Sequence, residues 1–294
     1  MANNAGLRYD EKLNQSIQAV DPVRASDLSI LDQIVVRKRA ELLLERARTP
    51  LTELQKRVQP GRRGFRRSLE EHARGGPTVI AEIKRASPSR GVIVQQFDPA
   101  DLARRYEAAG AAALSVLTDI QFFEGSLDHL RQACESTRLP VLRKDFTLDP
   151  YHVWQAAAHG ADAVLLIAAI LPQADLRHLL ELSRELNLDA LVEVHDRSEL
   201  DRALEAGADL VGVNNRNLQT FEVSLETSLR LAEHMPAHVF SVSESGIRTP
   251  EDISRLAEAG YRAFLIGESL MRCSDPGQAL EALLAGTQRA ARNH

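Results

Sequence analysis

Four stretches of the chain repeat one local pattern: EAAGAAALSVL (107–117), AAHGADAVLLI (157–167), LEAGADLVGVN (204–214) and AEAGYRAFLIG (257–267). In each, an alanine-rich helical ending meets a glycine and then a short aliphatic run. Glycine just past a helix accepts the left-handed conformation that closes it. These glycines stand at 110, 160, 207 and 260, so the spacings are 50, 47 and 53. Between them lie three more aliphatic runs, PVLRKDF (140–146), DALVEVH (189–195) and HVFSVSESG (238–246), and TVIAEIK (78–84) precedes them all. The count is eight candidate strands. The segments between carry helical patterns, such as PQADLRHLLELSRELNL (172–188) and PEDISRLAEAG (250–260). The second begins with Pro and acids, as helix starts prefer.

Strand and helix alternating eight times imply parallel pairing through right-handed crossovers. Near-continuous aliphatic runs fit strands that helices cover. The expected fold is α/β, a (β/α)8 TIM barrel with an N-terminal helical extension. A doubly wound open sheet is the alternative, disfavoured because no GxGxxG follows the first strand. The 294 residues suit one domain over 28–294, with about two extra helices in 28–76. Residues 1–27 form a polar extension whose composition permits disorder.

Composition removes several function classes. Only two cysteines occur, Cys134 and Cys273, far apart and in no CxxC pattern. Neither a disulfide framework nor a zinc site is expected, and the setting is expected to be reducing and cytoplasmic. The opening MANNAGLRYDEKLNQ has no apolar core for a signal peptide, and no run approaches a membrane span. A net charge of −5 argues against nucleic acid as a partner. The basic cluster GRRGFRR (61–67) is short and flanked by Glu70 and Glu71, so a solvated loop or helix end is favoured over a phosphate-backbone patch.

Barrel chemistry sits at the C-terminal mouth of the strands. Polar residues should therefore gather where the aliphatic runs end, and they do: Glu82 and Lys84, Thr118, Lys144 and Asp145, Glu193 and His195, Asn214 and Arg216, Glu244 and Ser245. Glu82 and Lys84 are two apart, so they share one strand face. Any one such charge marks only where the chain meets water. Three glutamates and two lysines converging on one mouth point to acid–base chemistry. Asn214 to Asn217 fit turn chemistry equally well. His195 is expected to shape its loop, and no histidine has metal-ligand spacing. Trp154 and most phenylalanines read as packing, with Phe123 and Phe146 as exceptions. The loops after the seventh and eighth strands, SESGI (243–247) and LIGES (265–269), supply small residues that let an anion reach the backbone. The residues alone indicate a barrel enzyme acting on a small phosphorylated anion.

AEIKRASPSRG, LSVLTD with FFEGS, LRKDF, LLI, LVEVH, GVNNRNL, SESGI and LIGESLM, in this order, resemble the indole-3-glycerol phosphate synthase family over about residues 29–285. The resemblance implies ring closure of 1-(2-carboxyphenylamino)-1-deoxyribulose 5-phosphate with loss of carbon dioxide and water, in tryptophan biosynthesis. It makes Lys144 the general acid at the ribulose carbonyl and Glu193 the acid–base partner in the dehydration. Lys84 then contacts the substrate carboxylate, and Glu82, Asn214, Arg216 and Glu244 orient substrate and lysines. Pro88, Phe123, Phe146, Leu165 and Ile167 would form an apolar platform. Ser87, Ser245, Gly246, Gly267 and the backbone N–H of Glu268 would hold phosphate. No metal or cofactor is implied, and the chain is expected to act as a monomer or weak homo-oligomer. LRKDF, and the absence of the isomerase's cysteine and aspartate constellation, set the chain apart from phosphoribosylanthranilate isomerase. A non-catalytic phosphometabolite-binding barrel stays open as a third alternative.

Overall fold

The structure, a computed structural model, describes residues 29–218 and 220–292, and the extension expected over 1–27 lies outside the described residues. Eight parallel strands close into a barrel: β1 (Val79–Ile83), β2 (Ala113–Leu117), β3 (Val141–Lys144), β4 (Ala163–Ile167), β5 (Asp189–Val194), β6 (Leu210–Asn214), β7 (Phe240–Glu244) and β8 (Ala263–Ile266). Each pairs with its sequence neighbour. β1 closes the ring against β8, with Ile80 opposite Leu265 on one edge and opposite Ala113 of β2 on the other. The fold is a TIM barrel. The four repeat glycines, Gly110, Gly160, Gly207 and Gly260, have φ of +89°, +86°, +87° and +104°, so each helix ends through a conformation that disfavours other residues.

Strand alternation divides the core into two shells. Val79, Ala81 and Ile83 face outward against the helices, whereas Ile80, Leu142, Leu165, Leu191 and Leu265 fill the interior. Ahead of β1 lie three helices instead of two: α1 (Ile30–Arg48), α2 (Leu51–Arg57) and α3 (Phe65–Ala73). Pro50, which has no N–H to donate, separates α1 from α2 and explains the extra break. α3 drives Phe65 and Leu69, both fully buried, into the interior cluster at the N-terminal end of the barrel. Burying each contributes about 2–3 kcal/mol.

The basic cluster is not a solvated loop. Arg63 donates from its backbone N and Nε to Asp162 at 2.8 and 2.7 Å, and the Arg66 N–H donates to Asp189 at 3.0 Å. Asp162 and Asp189 stand where β4 and β5 begin, so the arginines fasten α3 as the barrel floor. That end of a TIM barrel serves stability, which leaves the opposite mouth for chemistry.

α1 is fastened near that mouth. Lys38, almost wholly buried, places Nζ 2.8 Å from Asp119, 3.0 Å from Asp145 and 3.0 Å from Glu41. Burial works to lower the ammonium's pKa, but the Asp145 and Asp119 carboxylates outweigh it and raise it above the ordinary lysine value. Asp145 follows Lys144 directly, so strand alternation turns it to the outer face. There it also accepts from Arg143 Nη2 at 2.9 Å and from Thr118 Oγ1 at 2.5 Å. Thr118 and Asp145 thus brace α1 from outside the barrel.

Candidate active site

The C-terminal mouth opens into a cleft of about 730 Å³, and every residue that the family resemblance assigns to the site lines it, whereas Thr118 and His195, also named from the strand ends, do not. Ile30, Leu31 and Ile34 of α1 add an apolar wall that strand-end reasoning could not supply. Lys144 projects inward from the end of β3, with Nζ 2.9 Å from Glu193 Oε2 on β5 and 3.2 Å from Glu244 Oε2 on β7. On β1, Lys84 Nζ donates to Glu82 Oε1 at 2.6 Å. Asn214 at the end of β6 donates from Nδ2 to Glu193 Oε1 at 3.0 Å and accepts the Arg216 N–H at 3.0 Å. It joins the acid–base cluster to the β6 loop, which simple turn chemistry would not require.

The carboxylates stand in different environments. Burial pushes the Glu244 carboxyl up to about 7, partly countered by Lys144 and reinforced by the nearby Glu193 charge. Its two oxygens are buried and accept no well-aligned hydrogen bond among the described residues. Glu193 is equally buried, yet Lys144, His195 and Asn214 outweigh desolvation and hold it below the ordinary glutamate range. Burial likewise works to lower Lys144, but Glu193, Glu244 and Glu82 raise it above the usual lysine value. The mouth therefore couples a retained cation, an ionised carboxylate and a carboxyl that titrates near neutrality. Sets of titratable groups driven apart in this way are typical of acid–base sites.

Two glycines create the space. A Cβ at Gly212 of β6 would collide with Glu244 Oε1, and one at Gly267 would collide with Glu82 Oε1. Gly267 is a candidate from the sequence, but Gly212 is not. Its signal was present: an isolated glycine within an aliphatic strand often marks a close approach.

The floor between the charged groups is apolar, with Leu165 and Ile167 from β4 and the rings of Phe123 and Phe146, whose centroids are 6.4 Å apart. Across the cleft, Ser245 and Gly246 both have positive φ, +67° and +83°. A non-glycine residue held there is strained, and such strain concentrates at ligand-binding loops. Asn215 braces it from behind, donating to Ser243 Oγ at 3.0 Å and to the Ser245 carbonyl at 3.1 Å. Ser87 Oγ in the β1 loop is buried without a hydrogen-bond partner among the described residues. The Glu268 side chain is held among arginines, 3.3 Å from Arg216 Nη2, 3.3 Å from Arg90 Nε and 3.9 Å from Arg272 Nη1. Arg90 and Arg272 come from loops, so strand-end reasoning missed them.

Solved structures share the architecture at low identity. The tryptophan synthase alpha subunit from Legionella pneumophila str. Paris superposes with a TM-score of 0.57 at 17% identity, covering 80% of this chain and 100% of that one. Thiamine phosphate pyrophosphorylase from Pyrococcus furiosus gives 0.56 at 18%, covering 74% and 98%. At that identity only the fold is shared. Sequence relatives are far nearer. The indole-3-glycerol phosphate synthase of Koribacter versatilis (strain Ellin345) is 51% identical over 257 residues, covering 87% of this chain and 99% of its own length. The protein of the same name from Albidiferax ferrireducens is 52% identical over 259 residues, covering 87% and 98%. The family model described as indole-3-glycerol phosphate synthase matches residues 31–283, from α1 through all eight strands to the last helix, and the chain belongs to that family.

Proposed function

We propose that this cleft converts 1-(2-carboxyphenylamino)-1-deoxyribulose 5-phosphate to indole-3-glycerol phosphate, the ring-closing step of tryptophan biosynthesis. One observation carries the assignment of roles: Lys144 Nζ held between Glu193 and Glu244 above an apolar floor. The aromatic carbon bearing the carboxylate attacks the ribulose carbonyl, and Lys144 gives its proton to the oxygen that becomes an alkoxide. A raised lysine pKa suits this order of events. The ammonium stabilises the developing charge first, and an alkoxide is more basic than an amine once the carbon–carbon bond forms.

Loss of carbon dioxide returns the electron pair to the ring. The new hydroxyl then leaves as water after taking a proton, for which Lys84 is the nearby acid, while Glu193 removes a proton from the adjacent carbon. Two protons are given and one is recovered, so each turnover takes up one. Before decarboxylation, Lys84 holds the substrate carboxylate, with Glu82 fixing its amine. Leu165, Ile167, Phe123, Phe146 and Pro88 receive the aromatic ring and press its carbon toward the carbonyl. Ser87, the Ser245–Gly246 turn, Gly267 and the backbone of Glu268 take the phosphate, and Arg216 lies beside it. A reducing, cytoplasmic setting belongs to the same proposal, since Cys134 and Cys273 are free thiols.

The test mixes purified protein with the carboxyphenylamino substrate and follows indole fluorescence. A rise in wild type, reduced on the order of 10²-fold in Lys144→Ala, is expected for a lost general acid. Substrate binding without any rise would favour the non-catalytic barrel. Near-normal turnover in Lys144→Ala would remove that residue from its role. Lys144→Arg is not a useful control, because arginine does not release its proton at working pH.

A further inference from the structure

One partly buried ionisable group near the mouth has no part in that scheme. His195 follows the last residue of β5, and its Nε2 lies 3.4 Å from Glu193 Oε1, while Lys144 takes Oε2. Its Nδ1 lies 3.0 Å from Glu199 Oε2, which also accepts the His195 backbone N–H at 2.8 Å. Local sequence builds this clamp. Asp196 caps α8 (Arg197–Glu205) by accepting the Glu199 N–H at 2.9 Å. Glu199 is then the third helical residue, where a glutamate side chain reaches back over the helix start. HDRSE (195–199) is thus a capping motif whose carboxylate ends on an imidazole.

We infer that His195, held by Glu199, is a positioning residue that presents a fixed positive charge to the second oxygen of Glu193. The inference rests on the proposed role of Glu193 as the base in the dehydration. The groups facing Glu193 are Lys144 from β3, Asn214 from β6 and His195 from its own strand, while Glu244 from β7 shares Lys144. On the β4 side, apolar Ile167 stands opposite Glu193 in the register. Without His195, Lys144 is the one cation beside the carboxylate among the described residues, with the neutral Asn214 amide as its other donor. That cation is shared with Glu244, and it gives up its proton during ring closure. Just then two buried carboxyl groups would compete for one neutral amine, and Glu193 would tend to take a proton instead of staying a base. A second cation that does not enter the chemistry removes this conflict. Burial works to lower the imidazole's pKa, but the close Glu193 carboxylate and the hydrogen-bonded Glu199 carboxylate raise it to about 10, so the ring stays charged across the neutral range.

The experiment compares wild type, His195→Asn and Glu199→Gln by the pH dependence of the single-turnover rate of indole formation, with melting curves confirming the fold. An opposite charge at this range moves a carboxyl by about 1–3 units. His195→Asn should therefore raise the acidic limb by about one unit or more, a roughly tenfold slower rate at a fixed pH below it. Glu199→Gln leaves the ring protonated in acid, so it should leave that limb in place and let the ring lose its proton at lower pH in a histidine NMR titration. His195→Gln, which likewise carries no charge, decides the matter if His195→Asn does not fold. An acidic limb unchanged in a folded His195 variant overturns the inference, whatever happens to the maximal rate. A wild type that makes no indole overturns the proposed function instead.

Discussion

Replacing Gly212 with alanine adds one methyl group to the barrel interior, and its position makes the outcome informative. Gly212 is not among the glycines with positive φ, so its backbone accepts alanine without strain. Alanine in place of glycine at a compatible position stabilises a chain by roughly 0.4–1 kcal/mol, and the fold should survive. The new Cβ would overlap Glu244 Oε1, with Glu244 Cδ and Leu191 Cδ1 each 3.2 Å away. Leu191 is packed in the core, so the carboxyl must yield, by about 1 Å to regain ordinary contact. That movement breaks the 3.2 Å approach of Glu244 to Lys144. A misplacement of this size costs on the order of 10²-fold in rate, about 2.7 kcal/mol of transition-state stabilisation. The assay is kcat/KM for indole formation, beside a thermal melt. A double-mutant cycle with Glu244→Gln identifies the route of the effect. If the methyl acts through Glu244, the double variant is no slower than the slower single one. Wild-type kcat/KM in folded Gly212→Ala refutes the steric argument, and fully multiplicative losses show that Glu244 is not its carrier.

Three further outcomes are expected. Lys38→Met leaves Asp119, Asp145 and Glu41 buried without their shared cation, and urea unfolding should show a loss of about 3–5 kcal/mol; an unchanged midpoint would contradict the network's role. Glu268→Gln removes the carboxylate that competes for Arg216 and Arg90. Because these pairs are partly solvated, inorganic phosphate should inhibit more strongly by about fivefold at most, and weaker inhibition would count against the arrangement. Histidine NMR titration should separate the buried ring of His152 from the partly buried ring of His195. His152, lowered to about 3 chiefly by burial and then by Arg143, stays neutral in mild acid, whereas His195 stays protonated to about pH 10. The signs of their stability contributions differ. That of His195 is full below 6.5 and is lost as pH rises toward 10. His152 weakens the fold as pH falls from 6.5 toward 3, where the unfolded ring binds the proton first. Coincident titration of the two rings near 6.5 would refute both assignments.

Much of the barrel is legible because its signals are local. The glycine after each helix, the aliphatic run that follows and the period-two alternation all act within a few residues. Alternation alone puts Glu82 with Lys84 on one face and Lys144 opposite to Asp145. Asp145 turns to Lys38 by that parity, while still lining the edge of the cleft. The third N-terminal helix leaves only a weak local signal, because α2 has only seven residues and follows Pro50 directly. The arginine cluster GRRGFRR read as solvated because its acceptors, Asp162 and Asp189, lie about a hundred residues or more away.

By itself, then, the sequence determined the number of strands, their order and the face each candidate side chain presents, since turn closure and side-chain alternation are properties of neighbouring residues. Only the tertiary structure decided how these side chains affect one another. Glu193 and Glu244 look alike in the chain, each a glutamate at a strand end. Ring closure puts both beside Lys144, but only Glu193 also receives Asn214 and His195, so one stays ionised and the other titrates near neutrality. Gly212 reads as a weak point in a strand until the barrel brings β7 beside it and the Glu244 carboxyl fills the space a methyl would take. Charge and close packing act through distance in space, and those distances exist only once the barrel has closed.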